Sequence, residues 1–239
     1  MAPANTTGRT GPRTGADADA DAADRTGGGD GDGRTGDGDG AAGRTGPAGA
    51  RRTGPPELRL VRLDRGTAES ALFRAAVLEH RPLPGQRGYV RAPAATLPLA
   101  DADPARTPFA VVAGPGPVRD AAGARASCAG FGVLDRAVHA RDLVPDPAHA
   151  VLLRAFHVAP DWEGKGVGRA SCSAPLLDRL AAEVAPHASE LVLCVDEANR
   201  RAARVYGAAG FSFTGRRLFT EPDGIQLVMV RPLAAGVGS

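Results

Sequence analysis

The sequence predicts a mixed α/β fold built around about seven strands. Short apolar or alternating runs, which are typical of strands, are interspersed with segments whose apolar residues recur at helical spacing. In chain order they read strand, helix, loop, three strands, helix, strand, helix and two strands. The chain has 239 residues, which is enough for one ordinary domain with additional segments and for a core that needs no metal or disulfide.

The predicted domain opens with a strand and a helix. The strand is "ELRLVRLD" at residues 57–64, and the helix is "GTAESALFRAAVLEH" at residues 66–80. Residues 81–106 are rich in proline and have no period, which is typical of a long loop or of short helices that cover a site.

Three apolar runs then predict strands two, three and four, which we expect to form an antiparallel meander. They are "FAVVAG" at 109–114, "ASCAGFGVL" at 126–134 and "AVLLRAFHV" at 150–158, with turn-rich segments between them.

The remaining elements follow a glycine-rich stretch. They are a helix at 167–187, a buried strand at 190–197, a helix at 199–210 closed by Gly210, and two paired strands at 211–220 and 225–233. Pro175 falls inside the first of these helices, so we expect it to kink the helix or to leave a carbonyl unpaired.

Residues 1–56 have the composition of a disordered tail. Arg-Thr-Gly recurs among Gly, Ala, Asp and Pro, without Leu, Ile, Val or an aromatic residue. Such a segment buries too little apolar surface to offset roughly 1 to 2 kcal/mol of backbone ordering per residue. Its Asp-Gly run lacks the Glu of a calcium-binding EF-hand loop and the apolar residue of calcium-binding repeats, so disorder is the better interpretation.

The composition indicates a cytoplasmic protein. A formal net charge of +2 gives no reason to expect nucleic acid or a membrane as partner. The three cysteines have no metal-binding spacing, which indicates buried thiols in a reducing compartment and no metal site. No apolar run approaches the roughly 18 residues of a membrane span, and no signal peptide is recognisable.

The glycine-rich stretch "DWEGKGVGRA", residues 161–170, predicts a phosphate-binding loop. It lies between an apolar strand and a helix, where successive backbone N–H groups and the helix N-terminus can hold a pyrophosphate. It does not fit GxxxxGK[ST], the pattern of the nucleotide-binding P-loop. It fits GxGxxG, the pattern of dinucleotide-binding domains, only poorly, because Arg169 and Ser171 stand where the last glycine is needed.

Two motifs resemble those of the Gcn5-related N-acetyltransferases (GNAT). "FHVAPDWEGKGVG" resembles the family's acyl-CoA motif, with Gly166 and Gly168 in register and Glu163 where Arg or Gln is usual. "NRRAARVYGAAGF" resembles its second signature. The resemblance covers about residues 57 to 233 and implies the GNAT fold for a domain at 57–239: a mixed, mainly antiparallel sheet of about seven strands flanked by helices.

The resemblance also implies an activity, the transfer of an acetyl group from the co-substrate acetyl-CoA to a primary amine by direct attack. Two catalytic residues follow from it: the backbone N–H of Val158 would stabilise the oxyanion, and the Tyr206 hydroxyl would protonate the departing thiolate. The implied cofactor-binding residues are Phe156, Val158, Glu163, Gly164, Lys165, Gly166, Val167, Gly168, Arg169, Asn199, Ala202 and Tyr206.

A narrower resemblance suggests the acceptor. Residues 86–101 are similar to the front half of bacterial polyamine acetyltransferases, with Gln86, Tyr89, Val90 and Leu97 in register. We therefore expect a small-molecule amine such as a polyamine, although Asp101 and Asp103 are the only acidic residues in the region. Other acceptors stay open, namely a protein N-terminus or lysine, an aminoglycoside and an amino acid, as does a homodimer. Two other classes of protein also stay open: a non-catalytic acyl-CoA-binding regulator, and an interaction protein whose Arg-Thr-Gly repeats bind a partner.

Several of these residues have plainer interpretations. Tyr206 can be a packing residue, Asn199 a helix cap and Lys165 a solvent-facing side chain. Strand alternation turns His157 away from the face of Val158, which favours a structural histidine. Asp196 and Glu197 end a strand and can form a solvated turn, so the sequence assigns no general base.

Overall fold

A computed structural model describes residues 56–137, 143–220 and 224–234, so the predicted tail lies outside the described residues except for Pro56. One seven-stranded sheet runs through the molecule in the order β1-β2-β3-β4-β5-β7-β6. The strands are β1 (Leu58–Arg62), β2 (Arg106–Ala113), β3 (Cys128–Asp135), β4 (Ala150–Val158), β5 (Glu190–Asp196), β6 (Ser212–Thr220) and β7 (Gly224–Pro232). The helices are α1 (Ala68–Leu78), α2 (Pro93–Asp101), α3 (Ala121–Ser127), α4 (Val167–Cys172), α5 (Leu176–Val184) and α6 (Arg200–Ala208).

The sheet is mixed and mainly antiparallel, as predicted. β1 to β4 pair antiparallel in sequence order, so the predicted meander of strands two to four is confirmed. β7 pairs antiparallel with both β5 and β6, which confirms the terminal pair. β4 and β5 form the single parallel pair of the described sheet.

β4 and β5 separate before either strand ends. Their parallel pairing runs from Ala150 opposite Glu190 to Leu153 opposite Leu193, whereas β4 continues to Val158 and β5 to Asp196. β4 also contains a bulge at Ala155, whose φ is +51°. An extra residue in one strand of a pair bends that strand, so the bulge accompanies the divergence of β4 from β5. The result is a gap in the middle of the sheet.

Helices cover both faces of the sheet. On one face α4 and α5 contribute Val167, Cys172 and Leu177 to the largest core cluster, and α6 packs Tyr206 against it. On the other face α1 and α2 bury Phe73 and Leu97 against β2 and β3. These two groups of helices are called the α4–α6 face and the α1–α3 face below.

Of the short helices on the α1–α3 face, α2 agrees with the prediction and α3 does not. Within residues 81–106, α2 is one of the short helices that the composition allowed; Pro93 lies in its first turn, where a missing N–H costs nothing. α3 was not predicted, because residues 115–123 read as a turn and the third strand was placed from Ala126. The Asp120 carboxylate caps α3 by accepting a hydrogen bond from the Gly123 N–H at 2.8 Å, and β3 begins only at Cys128.

The helix predicted over 167–187 is two helices. α4 ends at Cys172 and α5 begins at Leu176, directly after Pro175. Because proline has no N–H to continue the helical ladder, the expected kink is a complete break. Within the described part of the chain, the helices are all too short or too polar to cross a membrane.

Candidate active site

The gap between β4 and β5 exposes a backbone N–H. The Ala159 N–H donates to the Ala129 carbonyl at 2.9 Å, which makes Ala159 and Ala129 a hydrogen-bonded pair at the β3 edge. Because hydrogen bonding alternates along an antiparallel strand, the N–H of the preceding residue, Val158, points to the other edge. That edge faces the gap, where β5 has already diverged.

A glycine loop follows β4 and leads into α4. Gly164 and Gly166 have φ values of +73° and +79°, a conformation that side chains other than glycine rarely adopt. Gly168 lies inside α4, and a Cβ there would come within 3.3 Å of Val205 and 3.5 Å of Val158. The first two glycines therefore permit the turn, whereas the third permits the close packing of α4 against β4 and α6.

The backbone of this loop contains N–H groups that are available as hydrogen-bond donors. The N–H groups of Gly164, Lys165 and Gly166 donate to no group within the described part of the chain. The Glu163 N–H, in contrast, donates to the Pro160 carbonyl at 3.2 Å.

The side chains of the loop divide between core and surface. Val167 is buried, and Trp162 packs half-buried against the largest core cluster. Lys165 and Arg169 are exposed, and Lys165 Nζ lies 5.0 Å from the centroid of the Trp162 ring. Two cationic side chains therefore stand at the surface of the loop.

Both carboxylate oxygens of Glu163 are bound. Oε1 accepts a hydrogen bond from Gln86 Nε2 at 2.5 Å, and Oε2 lies 2.8 Å from Arg201 Nη2. The side chain is only 14% exposed. Glu163 thus joins the loop to the segment after α1 and to α6, and Arg201 compensates its charge; nothing in the sequence pattern revealed either partner.

The residues expected on α6 lie beside this loop. Asn199 caps the helix, since its Oδ1 accepts a hydrogen bond from the Ala202 N–H at 3.1 Å. Ala202 is half-buried against the largest core cluster. The capping interpretation of Asn199 is therefore confirmed.

Tyr206 packs between two phenylalanines on the α4–α6 face. Its ring centroid lies 6.4 Å from that of Phe156 and 6.1 Å from that of Phe211. Burial raises the pKa of the Tyr206 hydroxyl well above its usual value, and the nearby Cys172 thiol acts in the same direction. The hydroxyl therefore stays protonated at physiological pH.

His157 lies on the α1–α3 face, as strand alternation predicted. It is 6% exposed, and its Nε2 is 3.3 Å from Nδ1 of His80, the residue that follows the last turn of α1 and its cap, Glu79. Burial lowers the pKa of His157 to about 3, and the charge of His80 lowers it as well, while the Ala155 backbone raises it by a smaller amount. The sequence did not single out His80, because no motif links positions 77 residues apart.

Asp196 and Glu197 form the turn after β5. Asp196 Oδ1 accepts a hydrogen bond from the Ala198 N–H at 2.8 Å, and Glu197 Oε1 lies 3.0 Å from Arg217 Nη2. This geometry fits the solvated turn better than a general base.

The cysteines carry no activated thiolate. Cys128 and Cys172 are buried and Cys194 is half-buried, and all are free. Burial raises the pKa of Cys128 to about 12 and that of Cys194 to about 11, and it raises that of Cys172 further. A covalent acyl-cysteine intermediate is therefore disfavoured.

The acidic residues in the acceptor segment are paired with arginines. Asp101 forms a two-point ion pair with Arg74, and Asp103 lies 3.2 Å from Arg106 Nε. Among the residues that resemble polyamine acetyltransferases, Leu97 is a buried core residue. The two carboxylates of this segment are thus already neutralised.

A sheet that opens between a central parallel pair, with a glycine loop after the first strand of that pair, is the arrangement expected of an N-acetyltransferase. Residues 106–211 match the model of the Acetyltransferase (GNAT) family, a span that includes both motifs. The chain carries a GNAT acetyltransferase domain, and acetyl-CoA is the co-substrate of this N-acetyltransferase family.

Several solved structures are similar to the chain. The aminoglycoside acetyltransferase AAC(6')-Ib in complex with coenzyme A is 20% identical, with a TM-score of 0.49 over 74% of this chain and 95% of that chain. Spermidine N-acetyltransferase from Vibrio cholerae, with CoA and spermine, is 15% identical, with a TM-score of 0.42 over 74% and 95%. Nourseothricin acetyltransferase is 28% identical, with a TM-score of 0.38 over 55% and 68%. No curated protein matches the chain.

Proposed function

We propose that the chain transfers the acetyl group of acetyl-CoA to a primary amine of a small molecule by direct attack. The observation that carries this proposal is the gap between β4 and β5, into which the Val158 N–H is directed and beside which Tyr206 is held protonated. The family match supports the reaction type.

Acetyl-CoA would lie along β4 and the glycine loop. The free N–H groups of residues 164–166 would bind the pyrophosphate, with positive charge added by Lys165 and Arg169. The pantetheine arm would run beside Phe156 and Val158 at the open edge of β4, with Asn199 and Ala202 on its α6 side. Val167 and Gly168 would support the loop from within α4.

The same geometry provides for the chemical step. Attack of the amine on the thioester places negative charge on the carbonyl oxygen, and the Val158 N–H would stabilise it by roughly 3 kcal/mol, as oxyanion-hole donors do elsewhere. Tyr206 would give its proton to the departing thiolate, since its hydroxyl carries that proton at physiological pH.

The acceptor would bind at the α1 end of the gap, against the segment at 81–106 and the terminal strands. The carboxylates of Asp101 and Asp103 are neutralised by arginines, so a polycation would have to displace those arginines. We therefore infer that an acceptor with a single amine is preferred over a polyamine, because it needs no such displacement.

The test is thiol release from acetyl-CoA against spermidine, putrescine, lysine, aminoglycosides and short peptides. We expect turnover on one class of small amine and a kcat about 100-fold lower for Tyr206→Phe, which keeps the ring between its neighbours but removes the acid. Binding is measured separately through the fluorescence of Trp162, the single tryptophan of the chain.

Other outcomes select other functions. Binding of acetyl-CoA without acetylation of any amine would support the regulatory alternative, and acetylation of peptides alone would support a protein acceptor. Absence of acetyl-CoA binding would contradict the proposal.

A further inference from the structure

The amine has to lose a proton before it attacks, and the sequence supplies no base for this. Asp196 and Glu197 are engaged in a turn and an ion pair. Two histidines, however, meet at the end of β4 that borders the gap, and the reaction described so far uses neither of them.

These histidines form one hydrogen-bonded pair. Nδ1 of His80 lies 3.3 Å from Nε2 of His157, and the rings meet edge to face with centroids 5.5 Å apart. The His157 ring is buried and also contacts Phe131 at 6.1 Å. The His80 ring is half-buried at the end of α1, so it is the member of the pair that a ligand can reach.

The pair lies where a base is needed. Phe156 and Val158 turn their side chains toward the α4–α6 face, where Tyr206 packs, whereas His157 turns to the opposite face. The leaving thiolate and the arriving amine occupy different positions around the carbonyl carbon. An acid on one face and a base on the other, with the Val158 N–H directed into the gap between them, match that requirement.

We propose that His80 is the general base for the acceptor amine and that His157 is a positioning residue that holds the His80 ring through its Nδ1. The proposal rests on the acetyltransferase function proposed above. Nδ1–H of His80 donates a hydrogen bond to Nε2 of His157. The other ring nitrogen of His80, its Nε2, then has a free lone pair that takes the proton of the acceptor ammonium.

The reaction begins with the protonated acceptor amine. The ammonium gives one proton to His80, and the lone pair of the resulting amine forms the N–C bond. The C–S bond then breaks, and the thiolate takes the proton of Tyr206. The second proton lost from the nitrogen restores the Tyr206 phenol, and His80 releases its proton to water, so that acetylated amine, thiol and one proton are formed.

The surroundings keep the His80 imidazole neutral at physiological pH. Burial lowers the pKa of His80, while the Cys128 backbone and the Glu79 carboxylate oppose that shift. The titratable or charged residues around it are its chain neighbours Glu79 and Arg81, its ring partner His157, Cys128, whose backbone contacts it, and Arg125, which pairs with Glu79. Arg125 pairs with Glu79 at 2.8 Å, and the Cys128 thiol and His157 are uncharged at neutral pH.

The experiment compares wild type with His80→Gln, which can still hydrogen-bond to His157 but takes up no proton. We expect kcat at saturating amine to fall about 100-fold at neutral pH. In wild type kcat should rise through an inflection below pH 6.5 and then level off, whereas the variant should lose that inflection. His187→Gln, a change at an exposed histidine, should match wild type.

Two further readouts separate a base from a merely structural histidine. The melting temperature and the acetyl-CoA affinity of His80→Gln should stay close to wild type, and His157→Gln should lower kcat by a smaller factor than His80→Gln. If wild type acetylates an amine and His80→Gln keeps both its kcat and its inflection, the base assignment is overturned and the proposed function stands. If wild type acetylates none, both are overturned.

Discussion

Glu163 shows how a departure from a family pattern can be compensated by residues distant in sequence. A carboxylate beside a pyrophosphate is unfavourable, yet here Arg201 neutralises it and Gln86 binds its other oxygen. The glutamate is therefore compatible with acetyl-CoA binding as long as Arg201 is present.

Arg201→Ala should weaken acetyl-CoA binding about fivefold, which corresponds to about 1 kcal/mol, because it leaves the Glu163 charge uncompensated. Adding Glu163→Gln to that variant should restore the affinity. The acetyl-CoA affinity of the single and the double variant is measured by titration of Trp162 fluorescence. Arg65→Ala, which breaks an exposed ion pair with Glu183, is the matched control. Unchanged binding in Arg201→Ala would show that the pair has no electrostatic role.

His157 makes stability depend on pH. Its pKa is lowered to about 3 in the folded chain, so below pH 6.5 the unfolded chain takes up a proton that the folded chain does not. Its contribution to stability is therefore complete above pH 6.5 and is lost as the pH falls. Between pH 7 and pH 5 wild type should lose about 2 kcal/mol more than His157→Gln in urea unfolding. Equal losses would mean that His157 is not buried in its neutral form.

Among the elements, the glycine loop contains glycines with two different roles, although their regular spacing in the sequence does not distinguish them. Gly164 and Gly166 have a positive φ, whereas Gly168 permits close packing. Gly166→Ala places a side chain at a φ of +79° and should cost about 1 to 2 kcal/mol of stability, along with affinity for acetyl-CoA. Gly66→Ala, where a Cβ meets no atom within 4 Å, is the control. Both variants are compared by thermal unfolding and fluorescence titration. An equal effect of the two would refute the role assigned to the positive φ.

The strands and their order along the chain could be predicted because runs of apolar residues mark the segments that are buried. Three features could not be predicted from pattern. α3 depends on a cap at Asp120 within a turn-like composition, the break before α5 depends on how fully Pro175 disrupts its helix, and the gap depends on where β4 and β5 stop pairing. The alternation of apolar residues along a strand does not show how far that strand is paired with its neighbour.

At the scale of the whole molecule, the fold brings together segments that the sequence separates. The residues proposed to bind acetyl-CoA belong to two local motifs, so the sequence alone could predict them. The Gln86–Glu163 and His80–His157 contacts each join positions 77 residues apart and appear only in the tertiary structure. The acceptor is the partner that the sequence predicts least well, since the segment at 81–106, where we propose that it binds, has no recognisable period.

The domain at 57–239 should contain everything that the reaction needs. Every residue to which we assign a part in acetyl-CoA binding or in the chemical step lies between His80 and Tyr206, and the terminal strands proposed to border the acceptor also belong to this domain. Removal of residues 1–56 should therefore leave kcat and the KM for acetyl-CoA within about twofold of the full chain, because the tail's composition provides no packed surface. A steady-state comparison of both chains checks this. A large loss of kcat with an unchanged melting temperature would assign the tail a part in the site.

Direct acetyl transfer with Tyr206 as the acid is tested by measuring acetylated amine and free thiol together, for wild type and Tyr206→Phe, with acetyl-CoA and the best small amine. We expect equal amounts of the two products in wild type and a rate about 100-fold lower in the variant, with acetyl-CoA binding preserved. Thiol release without acetylated amine, or equal rates in the two proteins, would contradict this mechanism.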